Sequence, residues 1–429
     1  MLINKSKNLN ELVTKGLGVF SIRVLSYLFG FAFTWILANK YGPRFQGIFS
    51  IAFLFLSIGA MISKLGVETA IVKWMASVES SQNKKYVFFK SLSLVLFMSC
   101  LIGLVVYFCA PLISQMYNKP DLINSIKVAS IGIPFLAILD LNSNYFKGEN
   151  KVIIFGTYFY FFKFLFPLLL ILCFYLLTNS FIEAPTLSYT LGLFMACVVS
   201  IMHIVFTLKK TKRKLIKKFS YKYIVIESYP MMVSSAIVMI MGWSDVFILG
   251  FYTSEEKIGV YSTAIKIATT VSFIYSAITA IITPKIATFY GKNEQKKLIE
   301  IVNNATRIIF FSSLPVFMIL FCFPNFILGL FGPEYIEGSS VLRILLIAQF
   351  TNAITGPVGP LMQMSGNQKV LQNIIALSLV FNILISLILV SRMESIGVAI
   401  GSAVGMALWN IVGAYYIFKK MKVQTWVTF

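Results

Sequence analysis

The sequence predicts an all-α polytopic membrane protein with twelve transmembrane helices in two pseudo-symmetric six-helix lobes. The first reason is composition: 58% of the 429 residues are hydrophobic and only 12% are charged, too much apolar surface for a water-soluble core to bury. The second is that the apolar residues form segments of about 20 residues, the length that crosses a bilayer as a helix. The third is that Lys and Arg are concentrated in alternate connections between these segments.

Twelve segments are long and apolar enough to span a bilayer. The first follows Lys5, Lys7 and Lys15 without a small-residue cleavage pattern, so it is predicted to be a span and not a removable signal peptide. The twelve lie near residues 17–38, 47–66, 87–109, 122–141, 152–177, 186–208, 229–250, 260–283, 306–329, 339–362, 370–390 and 396–418.

The distribution of basic residues predicts the orientation. Both tails and the loops 66–86, 143–151, 209–222, 285–305 and 363–369 carry 24 Lys and Arg, whereas the opposite connections carry 5. Basic loops stay on the inner face, so both termini are predicted to be cytoplasmic, in the cytoplasmic (inner) membrane. Because these short loops account for most of the net charge of +21, nucleic acid is not an expected partner.

Three pairs of similar segments indicate an internal duplication. GIFSIA at 47–52 returns as GVYSTA at 259–264, and GENKV at 148–152 returns as GNQKV at 366–370. Pro111 and Pro120 likewise return as Pro324 and Pro333. The order and near-constant offset predict six-helix lobes at 1–208 and 223–429, joined by the basic cytoplasmic linker 209–222. An even number of helices in each copy predicts an axis along the membrane normal, with a cleft between the lobes.

Several function classes are excluded or disfavoured by what the sequence lacks. The longest connections are about twenty residues, too short for a nucleotide-binding domain, and no GxxxxGK[ST] phosphate loop occurs. The five cysteines read as small buried hydrophobes, and no His/Cys cluster has metal-site spacing. Neither paired carboxylates nor a nucleophile elbow is present, so we expect a transporter and not an enzyme, with no cofactor or metal. Energy would come from an ion gradient, the membrane potential or a partner.

The run from Pro230 to Ile267, continuing through TPKIATFYGKNEQKKL at 283–298, resembles the seventh and eighth helices of Wzx-type polysaccharide (O-antigen and capsule) repeat-unit flippases. LGVETAIVKWMAS at 65–77 and SGNQK at 365–369 are similar to patterns of the same family. The resemblance covers essentially the whole chain. It implies a MATE-like fold of the multidrug/oligosaccharidyl-lipid/polysaccharide exporter superfamily. It also implies transfer of undecaprenyl-pyrophosphate-linked oligosaccharide to the periplasmic leaflet, in a membrane that holds the polysaccharide polymerase and chain-length machinery as possible partners.

Four basic residues at depth are candidates for binding an anionic cargo. A charge at a helix centre costs about 2.5 to 3.5 kcal/mol to insert, so it tends to face a cavity or a partner. Lys163 stands in the middle of its helix, four residues before Pro167, and is predicted to face the cleft. Arg23 either belongs to a lumen-facing stripe or reaches the cytoplasmic headgroups. Lys64 and Lys266 complete the set.

Two acids are candidates for ion coupling or for structural ion pairs. Glu68 follows Lys64 by four residues, which favours an ion pair at the cytoplasmic rim. Asp245 and Lys266 have similar depth in adjacent helices, so they either form a buried pair or face one cleft. Asp245 is also a candidate for binding a proton or Na⁺. The run GPVGP at 356–360 is either a hinge or a helix end.

Two functions remain open from the sequence. In the first, a lipid-linked oligosaccharide flippase works by alternating access, with the cations passing a pyrophosphate outward and the tail remaining in lipid. The alternative is a cation-coupled multidrug exporter of the same superfamily, which would be expected to line its cleft with acids and aromatics. The deep charges are mostly basic, and this favours the anionic cargo.

Overall fold

The computed structural model describes residues 2–77, 81–177, 181–207 and 220–427, and the regular secondary structure within them is helical. Proline and glycine break several helices, and π-helical turns follow α1 (Leu37–Tyr41) and α6 (Thr157–Phe162). The α-helices are α1 Leu2–Ile36, α2 Pro43–Lys64, α3 Val67–Ser77, α4 Ser81–Tyr117, α5 Leu122–Gly148, α6 Val152–Gly156, α7 Lys163–Leu177, α8 Ala184–Thr207, α9 Tyr221–Tyr252, α10 Glu255–Gly291, α11 Gln295–Cys322, α12 Pro324–Gly329, α13 Ser339–Thr355, α14 Val358–Met364 and α15 Gln368–Met421.

Ten helices in the described part of the chain are long and apolar enough to cross a membrane. A further span is a broken one: the segment Pro333–Thr355 and helix α14 qualify together and are bent by 48° where they meet. The run GPVGP lies at this break, and Gly356 has a φ of 67°, a conformation that favours glycine. The run therefore lies at a bend between the end of α13 and the start of α14.

Helix α15 is a hairpin of two helices and not one helix of 54 residues. Its backbone leaves helical geometry at Glu394, with φ 45° and ψ −124°. After the break, a Cβ atom added to Gly401 would lie 2.1 Å from Ser386 Oγ, a contact that a straight helix would exclude because 15 residues span about 22 Å. With the two arms counted separately and the broken span counted once, the described residues contain the twelve predicted spans.

The chain divides into two compact units. The first contains residues 1–41 and 48–239, and the second contains residues 42–47 and 240–429. The predicted lobe boundaries at 208 and 223 differ from this division, which falls inside α9. Most of the predicted basic linker 209–222 lies outside the described residues, so its role stays a prediction.

The repeated glycines Gly47 and Gly259 make reciprocal contacts within the second unit. A Cβ atom on Gly47 would lie 1.8 Å from the carbonyl oxygen of Glu255, and one on Gly259 would lie 1.9 Å from that of Pro43. Pro43 and Glu255 each stand four residues before the corresponding glycine, at the start of α2 and α10. The duplicated segments thus supply the two halves of one close backbone crossing.

A second repeated feature was not apparent from the sequence. In the first unit the amide of Asn142 donates to Ser200 Oγ at 2.8 Å, and in the second the amide of Asn410 donates to Asn352 Oδ1 at 3.0 Å. Both members of the second pair follow those of the first by 210 residues. Each bond joins the fourth span of a unit to its sixth, inside apolar surroundings where an unbonded amide would be costly.

Candidate functional site

Asp140 in α5 holds two of the predicted cations in the first unit. Its Oδ2 lies 2.7 Å from Lys64 Nζ, a tight hydrogen-bonded ion pair, and its Oδ1 lies 3.5 Å from Lys163 Nζ. The side chains of all three residues are at most 18% exposed. Two buried cations therefore share one carboxylate, and Lys163 is the more loosely held.

Glu68 is a more distant partner of Lys64. The two residues are four apart, but a turn through Leu65 and Gly66, both with positive φ, places them in different helices. Their charged atoms are 3.9 Å apart, so the expected ion pair forms across the turn. Glu68 lies outside the spans, and burial raises the pKa of its carboxyl despite the opposing effect of Lys64.

The helix around Lys163 is irregular for identifiable reasons. The π-helical turn Thr157–Phe162 precedes it, and Pro167, which has no N–H, cannot donate to the carbonyl of Lys163 four residues earlier. Gly192 in α8 allows close packing here, because a Cβ atom on it would lie 2.5 Å from Pro167. π-Helical turns are frequent at functional sites. The Lys163 ammonium lies 5.3 Å from the centroid of the Phe159 ring.

Arg23 in α1 contacts the same irregular segment. Its guanidinium donates a hydrogen bond to the hydroxyl of Tyr160 and lies 4.6 Å from the centroid of that ring. Its Nε atom is buried, with no hydrogen-bond partner among the described residues. Arg23 thus contacts protein groups of this segment, and its place in a lumen-facing stripe or near the headgroups stays a prediction.

A further cation of the first unit, Lys147, was not singled out from the sequence. It lies at the end of α5, with its ammonium 5.2 Å from the centroid of the Phe155 ring. The Phe155 ring packs edge-on against Tyr160, with centroids 5.9 Å apart. Aromatic rings therefore connect Lys147 to Arg23 and form one wall of the cationic cluster, defined here as Arg23, Lys64, Lys147 and Lys163.

Asp245 in the second unit is surrounded by hydroxyl groups. Its carboxylate accepts hydrogen bonds from Tyr261 at 2.5 Å and Ser402 at 2.6 Å, with Ser244 at 3.5 Å. The network extends further, because the amide of Asn382 donates a hydrogen bond to Ser402 Oγ at 3.1 Å. Lys266 is half-buried in α10. Its expected place, paired with Asp245 or facing the same cleft, stays a prediction.

The residues missed from the sequence have simple explanations. The span that contains Asp140 was predicted to end near residue 141. Instead α5 continues to Gly148, which puts Asp140 two turns inside the helix. The letters AILDLNSNYF, in which an acid interrupts an apolar run, were the available signal. Tyr261 and Ser402 gave none, because single hydroxyls are common in spans. In the described residues, no group of three or more His, Cys, Asp or Glu side chains has metal-site geometry.

The described residues thus hold a cationic site in the first unit and an acidic site in the second, each built on apolar helices long enough to span a membrane. The fold resembles the lipid II flippase MurJ in its inward closed conformation, with a TM-score of 0.76 and 15% identity over 93% of this chain and 87% of that one. It also resembles an inward-facing multidrug resistance transporter of the MATE family, with a TM-score of 0.70 and 16% identity over 95% and 98% of the two chains. The predicted MATE-like fold is confirmed.

Residues 36–340 match the family described as polysaccharide biosynthesis protein, and the chain belongs to that family. A curated relative is the probable low-salt glycan biosynthesis flippase Agl15 of Haloferax volcanii, 26% identical over 257 residues. The match covers 58% of this chain and 53% of the relative, so the chain spans about half the length of the relative it matches. The predicted resemblance to polysaccharide flippases is confirmed, and the long apolar helices of the described residues are those of a multi-pass membrane protein.

Proposed function

We propose that this protein is a flippase that moves undecaprenyl-pyrophosphate-linked oligosaccharide from the cytoplasmic to the outer leaflet of the cytoplasmic membrane, with both termini cytoplasmic. The observation that carries the proposal is the cationic cluster of the first unit. Its four cations outnumber Asp140 and Glu68, the two acids that pair with Lys64 and Lys163, so the cluster is electropositive where charge is costly. A pyrophosphate supplies the missing negative charge and hydrogen-bond acceptors. A polymerase and chain-length machinery are the proposed protein partners.

Three of the four cations have distinct roles in this proposal. Lys64 is held by Asp140 at 2.7 Å and keeps that carboxylate in place. Lys163, at 3.5 Å from the same carboxylate, exchanges Asp140 for a phosphate oxygen at small cost. Arg23 offers its buried Nε hydrogen to a second oxygen. Pro167 leaves the carbonyl of Lys163 without its helical N–H donor, and we propose that the cargo approaches at this irregular segment.

The membrane potential is sufficient as a driving force. A pyrophosphate linkage carries about two negative charges, and each is worth about 2.3 kcal/mol across 100 mV, so outward transfer gains about 4 to 5 kcal/mol when the interior is negative. In this mechanism Lys266 receives the cargo on the outer side, and Asp245 weakens its hold for release. Alternating access exposes the site to each side in turn.

The first prediction tests Lys163 directly. Replacement by Gln removes the loosely held cation, so surface polysaccharide should be lost and the lipid-linked intermediate should accumulate, with protein levels unchanged. Lys163→Arg keeps the charge and should retain most of the export. Lys90→Gln is the matched control, since Lys90 is another cation in a span, with its ammonium 5.2 Å from the Tyr86 ring centroid and 4.7 Å from that of Tyr221. Normal export by Lys163→Gln would refute the assigned role.

The hydroxyl-lined carboxylate of Asp245 supports a second possibility, coupling to H⁺ or Na⁺. Oxygen ligands around a buried carboxylate suit a small hard cation or a proton. The same feature would serve the alternative function, a cation-coupled multidrug exporter. The flippase and the drug exporter differ in their cargo. The potential-driven and the ion-coupled mechanisms differ in their energy source.

The second prediction separates these energy sources in liposomes. With an imposed potential and no ion gradient, the potential-driven flippase should transfer a fluorescent lipid-pyrophosphate sugar, and Asp245→Asn should change the rate less than about tenfold. Transfer that ignores the potential, follows a pH or Na⁺ step and disappears in Asp245→Asn would instead establish antiport. Efflux of an organic cation with no lipid transfer would establish the drug exporter.

A further inference from the structure

A cavity of about 300 Å³ lies at the end of the second unit that is remote from Asp245. Its walls come from the last turn of α10, the first turn of α11, the residue before α15, and the end of α15 with the chain that follows. Tyr261, which binds Asp245, and Tyr290, which lines the cavity, are 29 residues apart in α10, or about 43 Å along the helix. The cavity is therefore separate from the Asp245 site.

The lining of this cavity combines one cation with amides and aromatic rings. Lys420 is the charged residue among those that line it. The side chains of Asn293, Gln295 and Asn367 add amide donors and acceptors, and Tyr290 adds a ring and a hydroxyl. A cavity that combines apolar side chains with amides and a single cation suits a small anionic ligand with hydroxyl groups better than a wholly apolar one.

Lys420 is held in position by its neighbours. Its ammonium donates to Asn367 Oδ1 at 2.7 Å and to the hydroxyl of Tyr416 at 3.0 Å. Asn367 is fixed in turn, because its amide nitrogen donates to Ser365 Oγ at 2.8 Å. An ammonium has three donor hydrogens, and the described residues use two, so the third can serve a ligand without moving the side chain.

The surroundings of the cavity are strongly basic. The segments 285–305, 363–369 and 419–422 together carry eight lysines and two glutamates. One of the two, Glu294, is occupied by Lys297 at 3.0 Å. Such an excess of one charge raises the local concentration of anions and increases their rate of association.

The remaining wall is a docked peptide. Val423 lines the cavity and is fully buried, and the carbonyl of Thr425 accepts a hydrogen bond from Thr306 at 2.8 Å. The N–H of Val427 donates to the carbonyl of Ile354 at 3.1 Å. Gly356 makes this docking possible, because a Cβ atom there would lie 2.5 Å from the Thr425 oxygen. These contacts fix the wall formed by the segment around Val423, whereas Tyr290, Asn293 and Gln295 contribute exposed side chains to the other walls.

We propose that this cavity binds a phosphate-bearing headgroup, with Lys420 on the phosphate and the amides on the neighbouring hydroxyls. A volume of about 300 Å³ is at the lower limit for small-molecule sites, which fits glycerol phosphate or a phosphorylated monosaccharide and excludes an oligosaccharide. The headgroup belongs either to an anionic phospholipid or to a soluble sugar phosphate. The site does not depend on the proposed transport function.

Binding to the delipidated, full-length protein in detergent tests the site. Native mass spectrometry would measure retention of phosphatidylglycerol, with diacylglycerol as the probe that lacks phosphate, and calorimetry would measure glycerol 1-phosphate. Lys420→Gln should weaken phosphate binding about tenfold or more, since a charge-assisted hydrogen bond is lost. Lys419→Gln removes the same charge from the adjacent exposed residue outside the lining and should bind normally.

The outcomes distinguish the two sources. Retention of phosphatidylglycerol alone, dependent on Lys420, supports the lipid headgroup, and Lys420-dependent binding of glycerol 1-phosphate supports the soluble source. Equal binding by Lys420→Gln and Lys419→Gln would overturn the site. If Lys420→Gln does not fold, Asn293→Glu is the second test variant. It places a negative charge in the lining without touching the Lys420 contacts, so it should weaken phosphate binding. Unchanged phosphate binding by that variant would also overturn the site.

Discussion

At the residue scale, Asp140 is the central side chain of the first unit. One carboxylate joins Lys64 at the end of α2 to Lys163 at the start of α7, so three elements depend on it. Removing one partner of a buried ion pair leaves an uncompensated charge, whereas replacing the whole pair with apolar groups is often neutral. Asp140 therefore affects stability as well as the cation that the proposed cargo meets.

The third prediction follows from this pairing. Asp140→Asn should lower the free energy of unfolding by about 3 to 5 kcal/mol, because Lys64 is left buried with only the more distant Glu68 as a charge partner. Adding Lys64→Met should recover most of that loss. Thermal unfolding in detergent would compare the wild type, the two single variants and the double variant. If the double variant is as unstable as the sum of the single ones, Asp140 stabilises the unit through other contacts.

The residue scale also shows the limits of sequence reasoning. Lys163 could be found because its depth in an apolar segment is written in the sequence, and the helix Val152–Leu177 has the predicted bounds. Its partner could not, since pairing depends on which helices lie side by side. Single hydroxyls such as Ser402 carry no sequence signal that distinguishes a ligand from a residue bonded to its own helix.

At the element scale, hydropathy identified the membrane spans but not the residues at which their helices begin and end. α4 was expected near 87–109 and runs from Ser81 to Tyr117, because a helix continues through polar turns as long as its backbone bonds are satisfied. The π-helical turn before Lys163 was not expected, although Pro167 marked the irregularity. The bend at Gly356, in contrast, follows directly from the run GPVGP.

The fourth prediction concerns the crossing of α2 and α10. Gly47→Ala places a methyl group where a backbone carbonyl lies, so it should reduce the yield of folded protein and destabilise it by at least about 1 to 3 kcal/mol. Gly259→Ala should behave in the same way. Expression level and thermal unfolding would measure both effects.

Gly242→Ala in α9 is the matched control for this prediction. A Cβ atom there meets nothing within 4 Å, so the variant should be neutral or gain up to about 1 kcal/mol from helix propensity. If Gly47→Ala is as well tolerated as Gly242→Ala, the backbone crossing is looser than the structure shows.

At the scale of the whole molecule, the class was predictable from composition and the alternation of charge. These properties reflect the bilayer and not any particular contact, which explains why they were sufficient for twelve spans while the division into units differs from the predicted lobes. The cargo depends on a few side chains. The sequence favours an anionic cargo, and the structure adds the contacts that support it. The identity of the cargo stays a proposal.

The fifth prediction tests the orientation of the whole chain. A reporter that is active only outside the cytoplasm should be inactive when fused after Lys292 or Lys422, since these positions lie in basic connections. It should be active when fused after Glu337, which lies in one of the opposite connections. Activity after Lys422 would place the carboxy terminus outside and contradict the topology. Activity after Lys292 would indicate that one of the first eight spans is miscounted.

The reciprocal contacts of Gly47 and Gly259 have a genetic consequence. Each glycine accommodates the carbonyl of the residue four positions before its counterpart, so the two contacts are equivalent. They are nevertheless encoded at separate positions of one chain, so a substitution at either glycine blocks one contact and leaves the other in place. Only changes at both positions remove the whole crossing.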